Sequence, residues 1–133
     1  MSRAKRLKYE SNETGWTTNP EYTELIVSES IRFVLPEYYP FKPPTLMIHD
    51  VSHIQYLKQE YTRLFPIIKH RKYPVPCICC SSLLCSWSPC MKCNELYHEY
   101  TRYRQQLHYI EGLECVYVLV NDLILDKIST FLL

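Results

Sequence analysis

Alternating apolar and polar residues in the first third of the chain predict a small antiparallel sheet. Residues 22–27 and 30–35 are rich in β-forming side chains, and together they predict a hairpin. The apolar run of residues 45–48 predicts a third strand. Ahead of these strands, residues 3–10 predict a short basic helix and residues 11–21 predict a loop or turn.

The middle of the chain changes to helical spacing, with apolar residues at steps of three and four. Ser52 and the glutamine three positions later fit a capping box at the start of this helix. Because proline has no N–H and clashes with the preceding turn, Pro66 predicts that the helix ends near Phe65. The apolar positions of this segment are Ile54, Leu57, Tyr61, Leu64 and Ile68.

The last third predicts two amphipathic helices separated by Gly112. The first carries Leu96, Tyr100, Tyr103, Leu107 and Ile110 on one face, and the second carries Leu113, Val116, Tyr117, Val120, Leu123 or Ile124, Ile128 and Phe131. The second stripe is too apolar to be left in water. We therefore expect it to be buried along Val116, Val120, Leu123 and Phe131, against this domain or against a partner.

Composition limits the functional classes. The 133 residues suit one domain spanning residues 1–133, and the net charge of +1 offers no electrostatic case for binding nucleic acid or an anionic membrane. Two glycines cannot build a glycine-rich phosphate loop. No apolar run spans a bilayer, and no secretory signal is recognised. We therefore expect a reducing compartment, the cytoplasm or the nucleus, where the seven cysteines bind metal or react more often than they form disulfides.

A proline-rich bend between two predicted strands is the most informative motif. Residues 35–44 read Leu-Pro-Glu-Tyr-Tyr-Pro-Phe-Lys-Pro-Pro, and they resemble the YPFKPP signature of ubiquitin-conjugating enzymes. Trp87-Ser88-Pro89 is similar to the motif that opens the helix after the active site in that family. The resemblance implies an α+β, ubiquitin-conjugating-enzyme-like fold, a small antiparallel sheet flanked by helices. It also implies a cis peptide bond between Tyr39 and Pro40.

The resemblance further implies a catalytic cysteine that carries ubiquitin or a ubiquitin-like modifier as a thioester. In the family this cysteine lies eight residues before the tryptophan, which gives Cys79, and Cys80 lies one residue away. A thiolate is nucleophilic near neutral pH, and its thioester stays reactive toward a lysine amine. Phe41, Ser88 and Pro89 match the family's platform for ligases. The implied partners are the modifier, an activating enzyme and a ligase, and this chemistry requires no cofactor.

The chain departs from the family pattern in three ways. The His-Pro-Asn motif is missing, and His70-Arg71-Lys72 occupies its region; the family's asparagine helps to stabilise the oxyanion. The interval from Pro44 to Cys79 is long, so the predicted central helix resembles an insertion. The stretch before Pro36 is short, so we expect a reduced meander lacking at least one strand.

The cysteine cluster also supports two other interpretations. Cys77 and Cys80 form one Cys-x-x-Cys pair, and Cys90 and Cys93 form another, a pattern typical of a structural zinc site. Alternatively, the cysteines are small apolar core residues. The Cys-x-Cys-Cys-x-Ser pattern before Trp87 resembles family members encoded by large DNA viruses. An inactive variant, acting as a binding or structural module in a larger, virion-associated assembly, is therefore the alternative function.

Overall fold

The structure is a computed structural model that describes residues 2–72 and 82–132, with side chains described as far as residue 120. The described residues form an α+β arrangement of helices and one antiparallel sheet, which confirms the predicted class. The elements in chain order are α1 (Arg3–Thr14), β1 (Thr17–Thr18), β2 (Glu24–Ile26), β3 (Ile31–Val34), β4 (Thr45–Ile48), β5 (Val51–Ser52), α2 (His53–Arg71), α3 (Ser82–Cys85) and α4 (Cys93–Leu132).

The sheet is a meander in which each strand pairs with the next along the chain, in the order β1-β2-β3-β4-β5. Leu25, Phe33 and Leu46 are aligned across the three central strands, and all three side chains are fully buried. This row faces the core, as the alternating sequence pattern requires. The predicted hairpin and the strand over residues 45–48 are confirmed.

The stretch before Pro36 holds short strands. Three strands precede this proline, but they contain only two, three and four residues. A strand of two residues needs little sequence, so the short segment reduces the length of the strands and leaves their succession intact. Asn19 stabilises the turn between the first two strands. Its side-chain oxygen accepts hydrogen bonds from the backbone N–H groups of Thr23 and Glu24.

Helix α1 continues four residues beyond the predicted end. Ser2 caps its start by accepting a hydrogen bond from the Lys5 N–H, and Gly15 ends it in the left-handed conformation at φ 79°. Glycine adopts this conformation without the steric cost that a Cβ imposes, so Gly15 serves as the stop signal. The predicted loop over residues 11–21 therefore begins only after Thr14.

Helix α2 corrects a second expectation, because it runs through Pro66 to Arg71. A proline in a helix interior costs about 3 kcal/mol. The helix continues because Leu64 and Ile68, on either side of Pro66, are buried in the core. Its predicted start is confirmed, since Ser52 accepts a hydrogen bond of 3.3 Å from the Gln55 N–H.

Helix α4 replaces the two predicted C-terminal helices with one helix of 40 residues. A Cβ placed on Gly112 would have nothing within 4 Å, and a single helical glycine costs only about 1 kcal/mol relative to alanine. The first half of α4 packs on the domain through Leu96, Tyr100, Leu107 and Ile110. Val116 and Val120 are exposed, so the described part of the chain does not bury this part of the predicted stripe. The side chains of Leu123 and Phe131 lie outside the described residues.

Candidate functional site

The two motifs that carry the family resemblance meet in the structure. The Trp87 indole Nε1 donates a hydrogen bond of 2.8 Å to the Pro40 carbonyl oxygen, 47 residues earlier in the chain. The Trp87 ring also lies 6.3 Å from the Tyr39 ring, centroid to centroid. The peptide bond between Tyr39 and Pro40 is cis, as the resemblance implied. The proline-rich bend and the Trp87-Ser88-Pro89 turn therefore form one continuous region.

Helix α1 holds the turn from the other side. The Arg6 guanidinium donates hydrogen bonds of 2.9 Å to the Pro89 carbonyl oxygen and 2.6 Å to the Met91 carbonyl oxygen. These carbonyls precede α4, and a charged donor binds a carbonyl more strongly than a neutral donor does. Because Arg6 is only 9% exposed, these bonds are largely protected from competing water. The position of the turn is consequently fixed by α1 as well as by the bend.

A buried acid links the helix, the bend and the start of α4. Glu10 is 1% exposed and accepts hydrogen bonds from the Tyr39 hydroxyl and, at 2.7 Å, from the Cys93 backbone N–H. The Arg6 Nε atom lies 3.3 Å from the same carboxylate and neutralises its charge. We call Arg6, Glu10, Tyr39 and Cys93 the anchor cluster. A buried carboxylate is stable only when such partners replace its lost hydration.

Burial sets the protonation states within the anchor cluster. Desolvation, reinforced by the neighbouring thiol and carboxylate, raises the pKa of Tyr39 far above its usual range, so the phenol remains a hydrogen-bond donor. Desolvation and the Glu10 charge likewise raise the pKa of the Cys93 thiol. The Tyr39 hydroxyl and the Cys93 thiol therefore stay protonated, an arrangement suited to positioning the backbone rather than to nucleophilic chemistry.

Above this buried support, the bend and the turn expose several side chains to solvent. Phe41 is 63% exposed and Tyr38 is 61% exposed, Pro89 is also exposed, and Ser88 is partly buried. We call Tyr38, Phe41, Ser88 and Pro89 the platform. The structure thus brings the three predicted partner-binding residues onto segments that hydrogen bonds tie together. Exposed aromatic side chains on a rigid support are typical of protein-binding surfaces.

Three residues of the platform and the anchor cluster are not predicted from the sequence. Tyr38 was not assigned a role, although it precedes the recognised motif directly, and the Lys42 ammonium lies 5.4 Å from the centre of its ring. Arg6 and Glu10 lie in a basic helix whose charged residues predict solvent exposure. Nothing in the pattern of residues 5–10 marks either side chain as buried.

The structure describes only some of the predicted catalytic and metal-binding cysteines. Cys77, Cys79 and Cys80 lie outside the described residues, so the thioester site stays a prediction. Cys90 is exposed, whereas Cys93 is fully buried with its sulfur 3.3 Å from the Tyr39 hydroxyl. Within the part of the chain that the structure describes, no three His, Cys, Asp or Glu side chains are grouped to hold a metal ion. The four-cysteine site remains a prediction.

A second buried polar group fixes α3, which begins just after the cysteines that lie outside the described residues. The Glu99 carboxylate is 6% exposed and accepts a hydrogen bond of 3.1 Å from the Leu83 N–H. His53, at the start of α2, is 2% exposed and packs edge-on against Tyr100. Burial lowers the pKa of His53 to about 4, and the Glu99 charge offsets part of that shift. His53 is therefore neutral at physiological pH.

Comparisons with known proteins identify no relative. No protein-family model, no curated protein and no solved structure matches this chain. Across residues 2–72 and 82–132, none of the helices is both long enough and apolar enough to cross a bilayer.

Proposed function

We propose that this protein is a divergent ubiquitin-conjugating-enzyme-like protein that carries ubiquitin or a ubiquitin-like modifier as a thioester on Cys79. The observation that carries the proposal is the hydrogen bond from the Trp87 indole to the Pro40 carbonyl oxygen, which joins the two motifs of the resemblance. The joined segments expose Phe41 and Pro89, two of the residues that match the family's ligase platform. Fold alone does not define function, so the proposal rests on this surface and on the cysteine eight residues before Trp87.

The proposed reaction is acyl transfer. The Cys79 thiolate attacks the thioester of the loaded activating enzyme, the new carbon–sulfur bond forms as the old one breaks, and the enzyme's cysteine leaves as a thiolate. A lysine amine then attacks the modifier's carbonyl carbon, loses a proton to solvent and releases Cys79. The missing asparagine removes one oxyanion donor, which costs on the order of 100-fold in rate. We therefore expect loading to be more readily observed than transfer.

The test is incubation with an activating enzyme, ATP and ubiquitin, followed by non-reducing electrophoresis. We expect an adduct that a thiol reductant removes and that Cys79→Ala abolishes. Cys85→Ala is the matched control, because Cys85 is an exposed cysteine in the same region and should still allow loading. Loss of the adduct in Cys80→Ala with retention in Cys79→Ala would move the active residue by one position.

A second function is supported by specific observations. An inactive variant that serves as a binding or structural module in a larger assembly, with or without zinc, accounts for the missing asparagine and for the exposed apolar residues of α4. If the protein has this function, no activating enzyme should load it, while Phe41→Ala should still weaken binding to its protein partner. Elemental analysis should find one zinc per chain if Cys77, Cys80, Cys90 and Cys93 bind the metal, and chelation should then lower the melting temperature.

A further inference from the structure

The second half of α4 is an apolar helix that the rest of the described chain does not cover. We call residues 113–132 the stalk. Five consecutive stalk residues, Val116 to Val120, are exposed, with Val116 at 59% and Leu119 at 62%. Consecutive residues of a helix point in all directions around its axis, so the stalk exposes apolar surface on more than one side. A helix that is apolar all round is normally buried.

Helix α2 runs beside α4 but ends level with the beginning of the stalk. Arg63 binds Glu111 at 3.1 Å, and Arg71 binds Glu114 at 3.2 Å. The Arg71 guanidinium also stacks 3.5 Å from the centre of the Tyr117 ring. These contacts place the last turn of α2 level with residues 114–117. Fifteen further residues of α4 follow Tyr117 in the same helix.

A groove between the two helices leads onto the stalk. It has a volume of about 440 Å³, and its apolar lining is supplied by Leu64, Ile67, Cys115, Val118 and Leu119. Arg63, Glu111 and Glu114 supply its charged edge. Because the groove is apolar and edged by charges, its shape and chemistry suit an amphipathic helix.

Charge indicates which helix occupies this groove. Beyond Tyr117 the stalk carries Asp122 and Asp126 with one lysine, whereas the last turn of α2 is basic, with Lys69, His70 and Arg71 followed by Lys72. The acidic end of one stalk is therefore complementary to the basic end of α2. Within one chain α4 is a single continuous helix, so its acidic end cannot fold back onto its own α2.

We propose that the stalk pairs with the stalk of a second copy of this chain, in an antiparallel arrangement with its twofold axis near Val120. In this arrangement Asp126 comes level with Glu114 of the other copy, and Asp122 comes level with Val118 of the other copy. Both aspartates are then close to the level of the basic end of α2 in that copy. Each stalk covers the other and enters the groove of the other copy, so the interface is reciprocal. A parallel pair would instead place Asp122 and Asp126 beside their own counterparts and away from the basic end of α2.

This dimer is independent of the thioester activity, and light scattering on the full chain tests it. We expect a concentration-dependent dimer that Val120→Glu converts to a monomer. Glutamate has a higher helix propensity than valine, so the substitution does not weaken the helix itself. Tyr38→Glu is the matched control, since it adds the same charge at an exposed aromatic residue outside the stalk and should leave the dimer unchanged.

Charge reversal tests the antiparallel arrangement. Asp122→Lys with Asp126→Lys should weaken dimerisation by about tenfold or more at low salt, and Lys69→Glu with Lys72→Glu should do the same. The protein with all four substitutions should recover the wild-type affinity. A wild type that remains monomeric overturns the proposal, and so does a monomer that binds phosphatidylcholine vesicles through the stalk. A dimer that the four-substitution protein fails to restore overturns the antiparallel arrangement.

Discussion

The Tyr39 hydroxyl lies 3.3 Å from the Cys93 sulfur, although 54 residues separate them in the chain. This contact places the proline-rich bend directly against the first turn of α4. Both side chains are almost fully buried, and both also meet Glu10, the first through its hydroxyl and the second through its backbone N–H. The geometry of the platform therefore depends on groups that no partner protein would touch.

Removing the Tyr39 hydroxyl should destabilise the fold. In Tyr39→Phe the Glu10 carboxylate loses a donor inside the core, and we expect the free energy of unfolding to fall by about 1–3 kcal/mol. Urea denaturation of the two proteins measures the difference. Tyr38→Phe is the control, because Tyr38 is 61% exposed and its change should stay within about 0.5 kcal/mol. Equal losses in both variants would contradict the role of the buried hydrogen bond.

Cys93 should resist alkylation in the folded protein. Its thiol is fully buried and its pKa is raised, so both access and the thiolate fraction are low. Cys85 and Cys90 are exposed, and we expect iodoacetamide to label them first. Peptide mass mapping at increasing urea follows each site. Labelling of Cys93 in native buffer at the rate of Cys90 would show that the anchor cluster opens readily or is arranged differently.

Acid should destabilise the protein through His53. The folded-state pKa of His53 is lowered from 6.5 to about 4, so the unfolded chain binds this proton more readily. The contribution of neutral His53 to the free energy of unfolding is complete above about pH 6.5 and is lost as the pH falls toward 4. At roughly 1.4 kcal/mol per pKa unit, this amounts to about 3 kcal/mol over the whole range.

The experiment compares wild type with His53→Leu by chemical denaturation at a series of pH values. The variant cannot take up the proton, so its free energy of unfolding should fall about 2–3 kcal/mol less than that of wild type between pH 6.5 and 4.5. His108→Leu is the control, since His108 lies on the exposed side of α4. Parallel pH profiles for wild type and His53→Leu would show that His53 protonates normally in the folded protein.

The two glycines should respond oppositely to alanine. Gly112 lies inside α4 with open space around it, so Gly112→Ala should stabilise the protein by about 0.5–1 kcal/mol. Gly15 has a φ of 79°, which an alanine adopts only with strain, so Gly15→Ala should destabilise it by about 1 kcal/mol. Thermal denaturation measures both. A loss of stability in Gly112→Ala would indicate that α4 bends at this residue.

The sequence predicted the sheet well because burial there has a strict period of two. Phe33 and Leu46 must face the core, and their position determines the pairing of β3 with β4. The predicted helix ends at Pro66 and Gly112 were wrong for a physical reason. Each residue imposes a local cost of a few kcal/mol at most, and the core contacts of Leu64 and Ile68 outweigh the cost at Pro66.

The candidate site was predicted only in its exposed part. Phe41, Ser88 and Pro89 stand in the two motifs that carry the resemblance, so the sequence alone marks them as candidates. Arg6 donates a hydrogen bond to the Pro89 carbonyl oxygen, 83 positions later in the chain, and no local sequence pattern predicts such a contact. Charged residues in a basic helix predict solvation. Their burial follows only from the three-dimensional arrangement of α1, the bend and the turn.

The fluorescence of Trp87 can report on binding at the platform, because this residue joins the bend to the turn. The chain has two tryptophans, and Trp16 lies elsewhere, stacked 5.7 Å from Phe33 against the sheet. In a Trp16→Phe protein the remaining indole emission would come from the residue that joins the bend to the turn. Its wavelength would respond when a bound protein excludes water from the platform. The affinity of an unlabelled partner for this surface then becomes measurable by simple fluorescence titration.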